Sequence, residues 1–478
     1  MSGVDRRTFL KVGAVAGAAA TTSTTTAMSA SAAEVAFQHG VASGDPLPDG
    51  VLLWTRVVTS APIRWEVARD EDFSRIVKRG TTHTGPARDH TVKVEVHGLH
   101  PNTRYWYRFR VGDVVSPTGR TKTAGCGTEL NLGVVSCANW DMGHFAGYGF
   151  LAQQELDAVI HLGDYIYEGV YPVTPQLRPT DPPHECVTLD DYRRRHAQYK
   201  TDSHVQAIHR AHPFICTWDD HESADNSSSI GSPLHDPATE GPWAVRMAAA
   251  TQAYFEWMPI REGRLDRSFR FGELASLTML DLRSYRTDTT ILGAQQRNWL
   301  INRLTTDTAR WQLVGNSVMI SPFKIPPAPG FPPSNPDQWD GFPADRELVL
   351  RALGDRRNTV FLTGDIHSSW ACDVPFEGRS VATEYICTSL TSDNFDELLK
   401  VPPRTGSLLL EAQIQLLNPH AKFVELDSHG VSTLKVTADE VRFDWYYLAD
   451  RKNPNSAVTK AHSFRTRHNT AQVERVLF

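Results

Sequence analysis

Four short apolar runs in this chain of 478 residues each lead into side chains that can ligate a metal. Val134-Val135-Ser136-Cys137 ends in a thiol, and Ile160-His161-Leu162-Gly163-Asp164-Tyr165-Ile166-Tyr167 adds a carboxylate and a phenol. Phe214-Ile215-Cys216-Thr217-Trp218 leads into Asp219-Asp220-His221-Glu222, and Phe361-Leu362-Thr363 leads into Gly364-Asp365-Ile366-His367. Packed together, thiolate, phenolate and carboxylate repel one another, and with imidazole they form a donor set that needs cations. Each position alone has a plainer reading. Cys137 at a strand end would be a small buried apolar residue, and Asp164 would cap a helix. Four such loops in one chain point instead to a site for two metal ions or more.

Those loops need a scaffold that brings them together. From Leu130 onward, compact apolar runs alternate with helical stretches: 132–135, 158–162, 213–217, 277–280, 313–315 and 360–363, with a helix expected over 293–306. This alternation predicts an α/β core, in which strand carboxyl ends open on one crevice. Residues 34–125 read differently. The runs 51–57, 62–67 and 91–96 alternate with period two, which predicts a β-sandwich without a catalytic part. Within it, Leu99-His100-Pro101-Asn102-Thr103-Arg104-Tyr105 resembles the turn-and-strand of fibronectin-type modules. The stretches 423–424, 432–436 and 441–447 predict further antiparallel strands, and 451–478 a polar end that trails or forms a lid. Segment 322–343, rich in Pro and Gly, predicts a long loop at the rim of the site.

The N-terminus reads Asp5-Arg6-Arg7-Thr8-Phe9-Leu10-Lys11, then an apolar run from Val12 to Ala20 and a small-residue site at Ala30-Ser31-Ala32. Paired arginines before a short apolar stretch predict a twin-arginine (Tat) export signal over 1–32, hence a secreted protein, extracellular or cell-wall associated. This route carries folded proteins, which suits one loaded with metal beforehand. No further apolar run is long enough to span a bilayer. Six cysteines are too few for a disulfide scaffold but leave room for one or two bridges. A net charge of -6 gives no basic surplus for holding nucleic acid, so no stable nucleic-acid partner is expected.

Together with the entry segment His39-Gly40-Val41-Ala42-Ser43-Gly44-Asp45-Pro46, the four loops resemble the PhoD-type alkaline phosphatases, a branch of the metallophosphoesterases. The likeness runs over nearly the whole mature chain. It implies an α/β fold with a metallophosphoesterase-type β-sandwich core flanked by helices over 126–478, and a small all-β, fibronectin-like domain over 33–125. It also implies ferric iron and calcium. By position, Asp164 would bridge metals, Cys137, Tyr167 and His367 would hold the iron, and Asp220 and Asp365 the calcium. Asp219, Asn226 and Asn316 are further candidates. His221 would protonate or stabilise the leaving oxygen. Arg246, or Arg283 with Arg286, would clamp the phosphate while a metal-acidified water attacks in line.

The expected activity is hydrolysis of phosphate mono- and diesters. The same metals would also serve phospholipase D-type hydrolysis of phosphatidyl lipids. A metal-stabilised binding or adhesion protein is the reading from another class, distinguished by a closed metal shell.

Overall fold

The computed structural model describes residues 36–171, 177–327 and 332–477; the expected export signal over 1–32 lies outside them. Among the described residues, two sheets of ten and seven strands carry the core. The strand Glu129–Val135 shows how they are layered. Successive side chains point to opposite faces, so Leu130, Leu132 and Val134 pack with Leu277, Leu313, Val360 and Leu362 of the second sheet. Val135, on the other face, packs with Tyr148, Tyr192, Val205 and Ala250 of the covering helices. The helices Gly293–Thr306 and Pro343–Ala352 cover the outer face of the second sheet through Leu300, Leu304, Val349 and Leu350. The result is a helix–sheet–sheet–helix stack, in agreement with the expected sandwich core.

Register decides where the loops emerge. In the ten-stranded sheet, Glu129–Val135, Ala158–His161 and Pro213–Cys216 run parallel, and His161 sits beside both Val135 and Cys216. Three chain ends therefore leave the sheet in one row, two or three residues before Cys137, Asp164 and Asp219. The fourth loop leaves the other sheet: Thr359–Thr363 is flanked in parallel by Trp311–Asn316 and Arg379–Ile386, with Thr363 level with Asn316 and Ile386. The crevice thus lies at one edge of the sandwich, fed by both sheets.

The N-terminal region is tied into this core. Val41–Leu47, Gly50–Arg56 and Thr91–His97 extend the ten-stranded sheet, the first of them pairing in parallel with Pro213–Cys216. The remaining strands, among them Ile63–Ala68, Ile76–Thr82 and Arg104–Val111, form a separate five-stranded sheet over a core of Val51, Leu53, Val67, Val94 and Tyr107. The Tyr105 hydroxyl accepts a hydrogen bond from the His100 backbone N–H at 2.8 Å, which locks the turn recognised in sequence.

Two expectations need correction. The polar end beyond Arg451 is neither trailing nor a lid: Val458–Arg467 and Val473–Arg475 are the outer strands of the ten-stranded sheet. Polar residues are common at such an edge because one face and one side meet water. The room left for disulfides is not used, since all six cysteines are free thiols.

Candidate metal centre

Three of the four loops, those carrying Cys137, Asp164 and Asp365, turn sharply. Cys137, Asp164, Asp365 and His367 adopt φ of 57, 56, 62 and 47°, a left-handed conformation that side chains other than glycine rarely hold. Such strain persists only where surrounding structure imposes it, and it gathers at functional sites. Gly163 makes the Asp164 turn feasible. Its φ is +112°, and a Cβ there would stand 2.5 Å from the Asp219 Cβ. Backbone bonds then lace the loops together, from Cys137 N–H to Gly163 O at 3.2 Å and from Ala138 N–H to Asp164 O at 2.9 Å.

Two compact trios result, each with donor atoms within 4.8 Å of one another: Cys137, Asp164 and His367, and Asp164, Asp220 and His221. Asp164 belongs to both. The Tyr167 hydroxyl donates to Asp164 Oδ2 at 3.0 Å and lies 3.2 Å from His367 Nε2, so the phenol joins the first trio. The His367 Nδ1 lies 2.9 Å from the Asp393 carbonyl, which can only accept; Nδ1 therefore carries the proton and Nε2 presents its lone pair to the trio. Asp220 accepts from the His221 N–H at 3.0 Å and from the Asn226 N–H at 2.7 Å. Asp365 stands outside both trios, 3.4 Å from the Gln338 amide.

The electrostatics explain what such a site requires. Burial pushes the Cys137 thiol well above its usual range, and the Asp164 carboxylate adds to the shift. Burial likewise raises Asp164, assisted by Asp220, Asp219 and Glu222 against the opposing pull of His221. Tyr167 is raised by burial, then by Asp164 and Cys137. Several acids buried in one place cannot all ionise by themselves, whereas cations between them make the deprotonated forms the favoured ones. The donor set therefore fits metal ions: soft sulfur and phenol on one side of Asp164, carboxylate oxygen on the other.

His221 is held with care. Its Nδ1 faces Glu168 Oε2 at 2.7 Å, the Tyr171 hydroxyl lies 3.2 Å from the same nitrogen, and its ring stacks on Tyr167 at 4.1 Å between centroids. Burial lowers its proton affinity, but Asp220, Glu168 and Asp164 outweigh this and raise it well above the usual histidine range. Glu168 is fully buried, and Glu222 braces the turns by accepting from the N–H groups of Asp164, Tyr165 and Asp219. Glu168 did not stand out as a site residue in sequence, and Glu222 did so only as the last member of the Asp219-Asp220-His221-Glu222 run, with no role of its own. Each sits beside a candidate ligand, but no spacing distinguishes a bracing carboxylate from a solvated one.

The arginines and the weaker candidates are placed otherwise than expected. Arg246 is 1% exposed and pairs with Glu240 and Glu185 at 2.7 and 2.9 Å. Arg283 is fully buried, bonded to Asp219 at 2.7 Å and to both oxygens of Asp337. Arg286 is also buried and pairs with Asp337. Each of these guanidiniums is paired with protein carboxylates, while Arg286 keeps one buried nitrogen, Nη1, without a hydrogen-bond partner. Asp219 gives one oxygen to Arg283, so it supports the site from behind. The Asn316 amide is bonded to Trp339, Thr363 and Val318. Segment 322–343 returns to the site through Asp337 and Gln338.

Buried metal-donor groups gathered at the strand ends of a helix-covered sandwich form a candidate metal-binding site. Residues 132–445 match the family described as PhoD-like phosphatase, 20–125 its N-terminal domain, and 3–23 a twin-arginine translocation signal. Alkaline phosphatase D of Bacillus subtilis (strain 168) is 36% identical, the alignment covering 96% of this chain and 87% of that protein. A solved structure described as PhoD superposes with a TM-score of 0.84 at 33% identity, covering 94% of each chain. The chain belongs to the PhoD-like phosphatase family: it is an exported enzyme that hydrolyses phosphoesters with the help of metal. No helix among the described residues is long and apolar enough to cross a membrane.

Proposed function

We propose that this enzyme hydrolyses small phosphate mono- and diesters at a ferric iron–calcium centre built around Asp164. The observation that carries the reading is the membership of Asp164 in both donor trios, since one carboxylate can give an oxygen to each of two ions. Cys137, Tyr167 and His367 suit ferric iron, because thiolate and phenolate are strong donors to it. Asp220 offers the oxygen that calcium prefers, and Asp365 would serve the same kind of ion. Such ions would neutralise the phosphate oxygens and acidify a water.

The chain's own groups do the rest. Glu168 accepts the Nδ1 proton of His221 and fixes the ring, leaving Nε2 to give a proton to the departing oxygen. Tyr167, stacked on that ring, prevents it from turning. Glu222 and the Arg283–Asp219 pair hold the loops in their strained form, so little reorganisation is needed when charge develops.

Elemental analysis of protein purified without added metal tests the centre. About one iron per chain with calcium is expected; zinc alone would overturn the assignment. Rates on an aryl phosphate, its bis-ester and phosphatidylcholine micelles test the substrate class. The two aryl esters should be preferred, and a preference for the lipid would move the reading to phospholipase D-type action.

A further inference from the structure

We infer that Arg451 is a positioning residue for the metal centre, acting from the C-terminal segment through residues 391–393 to hold Cys137 and His367 in place. This rests on the proposed role of those two residues as ligands. Residues 390–393 wrap the first trio from outside. Leu390 N–H donates to Ser136 O at 3.1 Å, and the N–H groups of Thr391 and Ser392 donate to Cys137 O at 3.3 and 3.4 Å. The Ser392 hydroxyl donates to the same carbonyl at 3.1 Å. The Asp393 carbonyl orients the His367 ring. One short segment thus sets both the left-handed turn at Cys137 and the tautomer of His367.

That segment is anchored by Arg451. Its guanidinium donates to Thr391 O at 2.6 Å and to Asp393 Oδ1 at 2.5 Å, and pairs with Glu397 at 3.2 Å. The residue is only 7% exposed, and its own carbonyl accepts from His144 N–H at 2.7 Å. His429 joins the brace: Nε2 meets Glu397 Oε1 and Nδ1 meets the Ser389 hydroxyl, each at 3.0 Å. The planar, permanently charged fork of arginine reaches carbonyl and carboxylate together, which a lysine ammonium does less completely. Groups that orient a ligand's other atom typically change metal affinity about 10- to 100-fold when removed.

The test compares wild type with Arg451→Met and Arg451→Lys, following metal loss under an EDTA challenge by elemental analysis, with thermal melts and kcat and KM alongside. Arg451→Met should lose the tightly held metal about 10- to 100-fold faster and lower kcat at nearly unchanged KM, and Arg451→Lys should recover part of both. Equal metal loss in wild type and Arg451→Met would overturn the positioning role while leaving the centre itself intact. A wild type that holds no tightly bound metal would overturn the centre, and this inference with it. Should Arg451→Met not fold, Asp393→Asn removes only the charge that the guanidinium meets and keeps the carbonyl on His367. Slow metal loss from it, as in wild type, would overturn the inference.

Discussion

The N-terminal five-stranded sheet and the ligand loops are built from the same strand-and-turn parts but use burial in opposite ways. In the sheet, burial falls mainly on apolar groups: Val67, Phe109 and the Tyr107 ring fill the core, and the Ser116 hydroxyl accepts from the Phe109 N–H at 2.9 Å. In the loops, burial falls on carboxylates, a thiol and a phenol whose proton affinities it drives upward. The first region is complete as folded, and the second is completed by cations. A site that must bind charge keeps like charges close, and the surrounding fold supplies the stability it forgoes.

Substitutions that separate the two regions sharpen this contrast. The largest effect is expected from Asp164→Asn, which removes the charge shared by both trios: kcat/KM should fall by about a thousandfold, several kcal/mol of transition-state stabilisation, with the melting curve retained. Unchanged turnover of an aryl phosphate would break the comparison. Gly163→Ala should follow, since its Cβ meets Asp219 and its φ is unfavourable; displacing the Asp164 turn by about 1 Å is worth roughly a hundredfold in rate. Its counterpart is Gly112→Ala, a +57° position with open space around it, which should cost about 1–2 kcal/mol of stability and leave kcat/KM alone.

Lys200 lies at the seam, its ammonium 5.2 Å from the Trp54 ring of the shared sheet and 4.8 Å from the Tyr165 ring beside Asp164. Burial lowers its pKa to about 7, whereas the unfolded chain keeps that proton up to about 10.4. Between these values the unfolded state binds more protons, so this group makes stability rise with pH from about 7 toward 10. Melting temperatures measured across that window should rise less in Lys200→Met than in wild type, by about 2 °C or more. The smallest effect belongs to Tyr105→Phe, which removes the hydroxyl from the His100 N–H: about 1 kcal/mol in denaturant unfolding, with unchanged kinetics.

Much of the fold was legible in the residues. The helix over 293–306 and the strand runs at 132–135, 158–162, 213–217 and 360–363 coincide with observed elements to within a few residues. A fully buried strand must be apolar along its whole length, and that leaves a mark in sequence. The outer strand Val458–Arg467 leaves none, because its residues mix polar with apolar along an edge.

The candidate donors Cys137, Asp164, Tyr167, Asp220 and His367 were likewise readable, because each stands directly after an apolar run and a strand end is a place that local sequence marks. How they sit together is visible only in three dimensions. That Asp164 is shared by two trios, that the fourth loop comes from the opposite sheet, and that Glu168 faces His221 all follow from register and packing. The arginines make the point most clearly. Arg246 and Arg283 have the chemistry to grip phosphate, yet each is bonded to a carboxylate distant in sequence or brought to it by a loop. Composition determines which charges a chain carries; only the folded path decides which of them meet, because the energy of a charge depends on its nearest neighbours and on its distance from water.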